Sequence, residues 1–432
     1  MDFAYSDRVE ALRRELATFM DRFILPYNDE WHRETRSGRY PLTLLNDLKA
    51  LAKDEQLWNL FLPDLPETAP GQRLSNLEYA PLAEIMGRIP WASEAFNCSA
   101  PDSGNMELLH RFGSEEQKQR WLTPLFEGEI RSCFAMSEPD TASADPTNLQ
   151  TSIRREGDEY VINGRKWFVS GANHPQCRLV VVVGNSDPGD KQPPHQRHSM
   201  ILVPMDSEGL NCVRNIPVLQ HEAPEGHCEL VFRNVRVPAE YLLGELGGGF
   251  AMAQARLGPG RVHHCMRSIG QCELALELMR ERALERRAFG KYLHEYANLS
   301  DWIAQSRLEI EQARLLVLHA AWLLDTGGNE AARSAVAGIK VVVAQLQTRI
   351  VDRAIQVFGA MGLSPDTPLS YLWTWGRALR ILDGPDEVHL RTVAREEMKK
   401  RANSAAKPCR ISRCRRIYRT RGRAMLAPSL QT

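Results

Sequence analysis

The stretch Ile381-Leu382-Asp383-Gly384-Pro385-Asp386-Glu387-Val388-His389 places a turn between two helical patterns near the C-terminal end of the chain. Its Gly and Pro interrupt the helical periodicity, so a carboxylate here can project from a helix end instead of lying along a solvated helix face. Such a position suits a general base. Because Asp-Gly-Pro-Asp is also ordinary turn chemistry, the function of this turn depends on the segments that precede it.

The length and composition are those of a folded chain with two or three domains and a large core. The chain has 432 residues, of which 43% are hydrophobic and 25% are charged. We expect no apolar run long enough to span a bilayer, and therefore no stable membrane insertion. The first 23 residues mix acidic and basic side chains in a helical pattern, unlike a signal or transit peptide.

The cysteines indicate a reducing compartment. There are nine of them, an odd number, and no CxxC spacing occurs among them. Because disulfide frameworks and zinc sites require paired or clustered cysteines, we predict free thiols, a cytoplasmic location and no metal site.

The net charge of zero hides an uneven distribution. Eleven of the 54 basic residues lie from Lys399 onward and no acid follows Glu397, so the preceding chain has 43 basic against 54 acidic residues. We predict that residues 401–432 are a disordered, basic extension without function, and we expect no nucleic-acid partner. Binding of nucleic acid or of an anionic membrane through phosphate contacts is the alternative for this extension.

Apolar periodicity divides the rest of the chain into three regions. Residues 1–130 show the three- and four-residue steps of helices. Residues 131–240 contain short β-branched segments separated by turn signals, which predicts an antiparallel β domain. Residues 241–400 return to the helical period, which predicts a four-helix bundle. The expected fold class is therefore α+β, with helices, then strands, then helices.

Glycine-containing pairs predict the turns inside these regions. Gly157-Asp158 and Asn163-Gly164 have the composition of β-hairpin turns. Gly327-Gly328 separates two long apolar stripes and is expected to join two antiparallel helices.

Four further segments precede the Asp383 turn in a fixed order. They are Phe134-Ala135-Met136-Ser137-Glu138-Pro139, Lys166-Trp167-Phe168-Val169-Ser170-Gly171, Glu285-Arg286-Arg287-Ala288-Phe289-Gly290-Lys291 and Gln356-Val357-Phe358-Gly359-Ala360-Met361-Gly362. In this order and layout the chain resembles the FAD-dependent acyl-CoA dehydrogenases over residues 1 to about 400. It is most similar to the branch of family members 10 and 11, which carries Asp-Gly-Pro-Asp-Glu-Val-His at this turn.

The resemblance implies which residues bind FAD. Ser137 and Ser170 match contacts to the pyrimidine end of the flavin, and Phe168 matches the aromatic residue that packs against the isoalloxazine. Arg286 matches the arginine of the pyrophosphate, for which its planar guanidinium is suited. The implied cofactor-binding residues are Phe134, Met136, Ser137, Ser143, Phe168, Ser170, Arg286, Phe289, Gln356, Gly359, Ala360 and Glu387.

The resemblance also implies partners. Phe289 and the Gln356 to Ala360 segment match residues that approach the FAD of a neighbouring subunit, which implies a homodimer or a homotetramer. An electron-transferring flavoprotein is the electron acceptor of such dehydrogenases. The substrate is an acyl-CoA, and the branch favours longer or 4-hydroxylated acyl chains.

Asp383 falls on the position of the family's catalytic glutamate. Its implied role is to take the α-proton of the thioester while hydride leaves the β-carbon for flavin N5, which gives a trans-2-enoyl-CoA. We expect burial beside a flavin and an apolar acyl chain to raise its pKa toward a range useful for a base. Some relatives carry their base at the position of Gly260, which offers no carboxylate here.

Neighbouring side chains are expected to have other roles. Arg261 and Ser143 match positions that bind the acyl-CoA. Asp386 and Glu387 are interpreted as turn and cap acids rather than as a second base. His263 and His264 are adjacent on a helix and point about 100° apart, so they cannot chelate one ion together, and we interpret them as a polar patch facing a pocket.

Three alternatives to a dehydrogenase stay open. An oxidase of the nitroalkane or acyl-CoA type would return electrons to oxygen. A flavin-dependent monooxygenase on the same scaffold would not need a base opposite flavin N5. A non-catalytic binding or assembly protein would keep the fold without FAD.

Overall fold

The computed structural model describes residues 4–187, 189 and 191–403. Most of the basic extension predicted for residues 401–432 lies outside this part, from residue 404 onward. A helical region, a β domain and a second helical region follow one another along the chain, which confirms the predicted fold class.

The N-terminal region consists of short helices. They are α1 (Asp7–Phe19), α2 (Asn28–Arg36), α3 (Leu42–Asp54), α4 (Asn76–Gly87), α5 (Asp102–Phe112), α6 (Glu115–Gln117) and α7 (Thr123–Phe126). Ser75 and Ser114 begin α4 and α6 with reciprocal capping boxes, which satisfy amide groups that a helix start otherwise leaves unpaired.

One twisted sheet forms the β domain. Its strands are β1 (Arg131–Ala135), β2 (Ser152–Glu156), β3 (Glu159–Ser170), β4 (Cys177–Asn185), β5 (His198–Pro204), β6 (Leu210–Asn215), β7 (His227–Pro238) and β8 (Leu242–Leu243). They lie in the order β6-β7-β3-β2-β4-β5-β8, and β1 pairs with β4. The pairing is mostly antiparallel, as predicted, but β1 runs parallel to β4, and β2 touches β4 through a single parallel pair.

The two predicted hairpin turns have different outcomes. Gly157-Asp158 does connect β2 to β3. The prediction for Asn163-Gly164 is wrong, because both residues lie inside β3, where the register to β7 shifts between Ile162 and Gly164. A Cβ at Gly164 would come within 2.4 Å of the Thr151 hydroxyl oxygen, so the glycine makes room for the side chain that precedes β2 rather than forming a turn.

Long helices form the C-terminal region. They are α8 (Gly249–Glu285), α9 (Ala297–Phe358), α10 (Ala360–Leu363), α11 (Leu369–Leu379) and α12 (Asp386–Asn403), with a small hairpin of β9 (Arg287–Ala288) and β10 (Lys291–Tyr292) after α8. The predicted turn in α9 is confirmed, because Gly328 has a φ of +68°. Glu309 pairs with Arg353 at 2.8 Å, so the two arms of α9 run antiparallel. They pack with α8 and α12 as a four-helix bundle.

Within the described residues, α9 is the one helix long and apolar enough to cross a membrane by length and composition. This corrects the expectation that no apolar run reaches that length. Buried residues make up 61% of its most apolar window, and the turn at Gly328 divides the helix.

Glycines bring α8 unusually close to α4. A Cβ at Gly270 would lie 2.0 Å from the Glu84 carbonyl oxygen, and a Cβ at Gly87 would lie 2.3 Å from the Arg267 carbonyl oxygen. The two backbones therefore touch where larger residues would separate them. This contact fixes the height and rotation of α8, which carries most of the side chains around Asp383.

Gly270→Ala should destabilise the fold because its methyl group has no room between the helices. We expect a loss of about 1 to 3 kcal/mol and a lower thermal midpoint. Gly338→Ala, the same change inside α9 where a Cβ meets nothing within 4 Å, should gain up to about 1 kcal/mol from helix propensity. Equal midpoints for the two variants in thermal unfolding would contradict this account of the helix contact.

Candidate active site

Asp383 lies in the turn between α11 and α12, with its backbone in the left-handed region. Its φ is +52°, an uncommon conformation for a residue with a side chain. The Asp383 carbonyl oxygen accepts hydrogen bonds from Arg261 Nε at 2.9 Å and from His389 Nε2 at 3.3 Å. A Cβ at Gly384 would lie 3.0 Å from His389 Nε2, so glycine at this position lets the imidazole reach the turn. Two side chains thus hold the strained backbone in place.

The carboxylate of Asp383 faces α8. His264 Nε2 lies 3.2 Å from Asp383 Oδ2, and the Asp383 side chain is 24% exposed. Burial by itself would raise the pKa of Asp383, but the hydrogen bond from His264 and the charges of Arg256 and Arg261 outweigh it and hold the pKa below its ordinary value. In this structure the carboxylate is therefore ionised at neutral pH, and a pKa raised by burial beside a flavin and an acyl chain stays a prediction.

The two adjacent histidines have different surroundings. His264 contacts Asp383, so it is part of the site rather than a general polar patch. His263 is buried with its ring 5.0 Å from the ring of Tyr79. Burial lowers the pKa of His263 to about 3, so it is neutral and serves the core.

Arg256 is a site residue that the sequence motifs did not indicate. Its guanidinium is buried, lies 4.1 Å from the ring centroid of Phe134 and binds Asn105 Oδ1 through Nε at 3.3 Å. A Cβ at Gly104 would lie 2.8 Å from Arg256 Nε, so the glycine makes room for it. Among the described residues no carboxylate lies within 4 Å of this guanidinium. Its spacing of eight residues from His264 on α8 is the signal that could have revealed it.

The predicted flavin-binding residues of the β domain lie at the ends of β1 and β3. Phe168 has a φ of +49° and is 39% exposed. The Ser170 hydroxyl lies 2.8 Å from His227 Nδ1, and the Ser137 carbonyl oxygen accepts from the Trp167 amide at 3.1 Å. The exposed ring of Phe168 offers the apolar surface that a flavin ring needs, and hydroxyl groups such as those of Ser137 and Ser170 can bind its polar edge, so these residues fit FAD.

A buried ion pair supports this region. Lys166 Nζ, fully buried, donates to Glu138 Oε1 at 2.8 Å and to the Met136 carbonyl oxygen at 2.7 Å. The Glu138 amide donates in turn to the Ser143 hydroxyl oxygen at 2.8 Å. Burial lowers the pKa of Lys166 to about 8 although Glu138 opposes the shift. The segment that carries Met136, Ser137 and Ser143 is therefore tied to β3.

The predicted cofactor residues of the C-terminal region, apart from Glu387, lie far from Asp383 in the same chain. Arg286 follows the end of α8, 25 residues after Arg261, which is about 37 Å along the helix axis. Phe289 is 99% exposed. Gln356, Gly359 and Ala360 are exposed at the end of α9, where the Phe358 ring lies 5.3 Å from the Arg282 guanidinium. One chain thus carries two separate groups of predicted residues.

The other two acids of the turn are arranged as expected for structural residues. Asp386 Oδ2 accepts from Arg380 Nε at 2.8 Å and from Gln345 Nε2 at 3.1 Å, and Asp386 is buried. Glu387 is exposed in the first turn of α12, next to the positive end of the helix dipole. A cofactor contact of Glu387 stays a prediction.

Comparison with known proteins gives a consistent result. The acyl-CoA dehydrogenase N-terminal, middle and C-terminal domain models match residues 6–129, 133–235 and 247–398. FadE2 of Mycobacterium tuberculosis, named as an acyl-CoA dehydrogenase, is 49% identical over 94% of this chain and 99% of its own length. Mouse acyl-CoA dehydrogenase family member 10 is 53% identical over 91% of this chain, which spans only 37% of that relative. A solved structure from Mycobacterium abscessus is 49% identical, with a TM-score of 0.87 over 92% of this chain and all of that one.

Glu138→Gln should destabilise the β domain by leaving the Lys166 ammonium buried without its counter-charge. We expect a loss of about 3 to 5 kcal/mol at low pH. The loss should shrink as pH rises through the lowered pKa of Lys166, because the native state then holds a neutral amine. Thermal midpoints between about pH 6 and pH 9 measure this dependence.

The matched control is Glu159→Gln. It removes an exposed partner of Arg236 from β3, the strand that carries Lys166. It should cost less than about 1 kcal/mol at every pH. Equal, pH-independent losses in the two variants would show that the buried pair does not support the site.

Proposed function

Because the chain belongs to the acyl-CoA dehydrogenase family and is an FAD-dependent oxidoreductase, we propose that it oxidises an acyl-CoA thioester to the trans-2-enoyl-CoA with Asp383 as the base. The observation that carries the proposal is the geometry of Asp383: His264 binds its carboxylate from α8, while Arg261 and His389 hold its carbonyl oxygen in a strained turn. A carboxylate fixed in this way is a proton acceptor with a defined direction.

In the proposed reaction Asp383 takes the proton from the α-carbon. The electron pair of that C–H bond forms the new double bond as hydride leaves the β-carbon. FAD, when bound, supplies the acceptor for this hydride. Arg261 is proposed to contact the acyl-CoA, and together with Arg256 it keeps Asp383 ionised before the proton is taken.

We propose that the β domain binds the flavin ring. Phe168 would pack against the ring with its exposed face, and Ser137 and Ser170 would bind the pyrimidine edge. Phe134 and Met136 complete this surface, and the Lys166–Glu138 pair holds it in position. Ser143 is proposed to contact the pyrophosphate or the acyl-CoA, in addition to the local hydrogen bonds that it makes.

The second group of residues is proposed to act on the FAD of a partner subunit. Arg286, Phe289 and the exposed end of α9 are too distant from Asp383 to reach the same cofactor within one chain. The Phe289 side chain is 99% exposed, so its ring is available to a partner subunit. We therefore propose a homodimer, or a tetramer built from two such dimers, with composite FAD sites.

We also propose an electron acceptor and a cellular location. An electron-transferring flavoprotein would reoxidise the reduced cofactor. A cytoplasmic location is supported by the cysteines, since the seven that the structure describes are all free thiols.

Asp383→Asn should keep FAD but lose the reductive half-reaction. Mixed anaerobically with butyryl-, octanoyl- or palmitoyl-CoA, the variant should bleach its flavin about 10²- to 10⁴-fold more slowly than the natural protein, because the amide cannot accept the proton. Asp366→Asn, an exposed carboxylate in the loop before α11, should bleach at the natural rate. Bleaching of Asp383→Asn at the natural rate would refute the role of this base.

The same measurement separates the alternative chemistries. Rapid reoxidation of bleached protein by air, with product still bound, would favour an oxidase. Absence of bleaching by all three thioesters in FAD-loaded protein would favour a monooxygenase, and failure to bind FAD would favour a non-catalytic relative.

A mixed dimer tests whether the site is composite. Chains with Arg286→Gln and chains with Asp383→Asn, carrying different tags, should each bleach poorly alone. In a purified hybrid one site combines an intact Asp383 with an intact Arg286 from the other chain, so about half of the natural bleaching should return. A site formed within one chain predicts no recovery.

A further inference from the structure

Two side chains on one face of α8, Arg267 and His264, form a directed chain of hydrogen bonds that ends at Asp383. Arg267 NH2 lies 3.1 Å from His264 Nδ1, and His264 Nε2 lies 3.2 Å from Asp383 Oδ2. His264 is thus bound at both ring nitrogens, by a cation on one side and a carboxylate on the other.

The chemistry of the two neighbours determines which nitrogen carries the proton. A guanidinium has only donors, so His264 Nδ1 must accept from Arg267. An ionised carboxylate has only acceptors, so His264 Nε2 must donate to Asp383. The imidazole is therefore neutral, with its single proton on Nε2.

We propose that His264 is a positioning residue for Asp383. Arg267 holds His264 as the Nε2–H tautomer, and this N–H in turn holds one carboxylate oxygen of Asp383 so that the other oxygen faces the substrate. This inference rests on the proposed function, because it assumes that Asp383 is the base. It goes further by assigning the orientation and the ionisation of that base to a second and a third residue.

The packing around Arg267 supports a fixed chain. Gly87 brings the backbone of α4 against the backbone of Arg267, so this part of α8 cannot shift toward α4. Burial also lowers the pKa of His264, and the positive charge of Arg267 contributes to the shift. A protonated His264 would have to break its bond with Arg267, so it does not take the substrate proton from Asp383.

The charged and titratable groups that face the pair come from three helices. On α8 they are Arg256, Arg261, His263, Cys265 and Arg267, on α9 there is Lys340, and on α12 there are His389 and Asp386. The positive charges among them continue to favour ionised Asp383 when His264 is changed. Removal of His264 should therefore raise the pKa of Asp383, because burial, which raises it, is then opposed only by the remaining positive charges. Those charges should still keep the carboxyl group partly ionised.

Two variants that differ by one methylene group test the proposal. His264→Gln keeps an N–H donor close to the place of Nε2, whereas His264→Asn withdraws it. In FAD-loaded protein we would measure the rate of anaerobic bleaching by octanoyl-CoA, or by palmitoyl-CoA if it reacts faster, between about pH 5 and pH 8. His263→Gln, a change of the neighbouring histidine that contacts Tyr79 instead of Asp383, is the control for packing damage.

We expect the natural protein and His264→Gln to keep their rates toward the acid end of this range. His264→Asn should bleach at least about tenfold more slowly than the natural protein. On acidification its rate should begin to fall at a pH at least about one unit higher than in the natural protein. His263→Gln should show no such displacement of the pH profile. Arg267→Met should introduce a new pH dependence, because His264 can then be protonated at Nδ1.

The outcomes distinguish the inference from the proposed function. Natural pH profiles in both His264 variants, with Asp383→Asn inactive, would overturn the positioning role and leave Asp383 as the base. Equal defects in His264→Gln and His264→Asn, or loss of FAD from both, would assign His264 to the fold alone and also overturn it. Natural bleaching by Asp383→Asn would remove the proposed function itself.

Discussion

The contact between α8 and the turn at Asp383 is the interaction on which the rest of the site depends. Asp383 has a positive φ that only its surroundings can maintain, and Arg261 and His389 bind its carbonyl oxygen while His264 binds its carboxylate. The position of α8 in turn depends on its backbone contact with α4. The proposed base is therefore placed by helix packing rather than by the turn itself.

Burial by itself would raise the pKa of Asp383, but the groups around it have the opposite effect. Desolvation would favour a protonated carboxyl group, yet the neighbouring donor and cations outweigh it and keep Asp383 ionised. Arg256 also binds the face of Phe134, so one buried cation links α8 to the β domain that is proposed to hold the flavin. The proposed proton acceptor and the proposed flavin surface are in this way positioned by the same helix.

Periodicity and motif order were sufficient to predict the fold class, the turn at Gly328 and the division into helices and strands. The prediction failed at Asn163-Gly164, because a glycine that makes room for a neighbouring side chain within a strand cannot be told from a hairpin-turn glycine by sequence alone. It also missed the roles of Arg256 and His264, and it missed the hydrogen bond and positive charges that lower the pKa of Asp383. These depend on which residues meet across α8, and spacing within a helix shows a shared face without showing what that face touches.

The most direct test of the account is the structure of FAD-loaded Asp383→Asn with octanoyl-CoA bound. The account predicts that the α-carbon of the thioester lies within about 3.5 Å of the side chain at position 383, with His264 still bound to that side chain from α8. An α-carbon that instead faces Gly260, or that lies beyond reach of position 383, would contradict it.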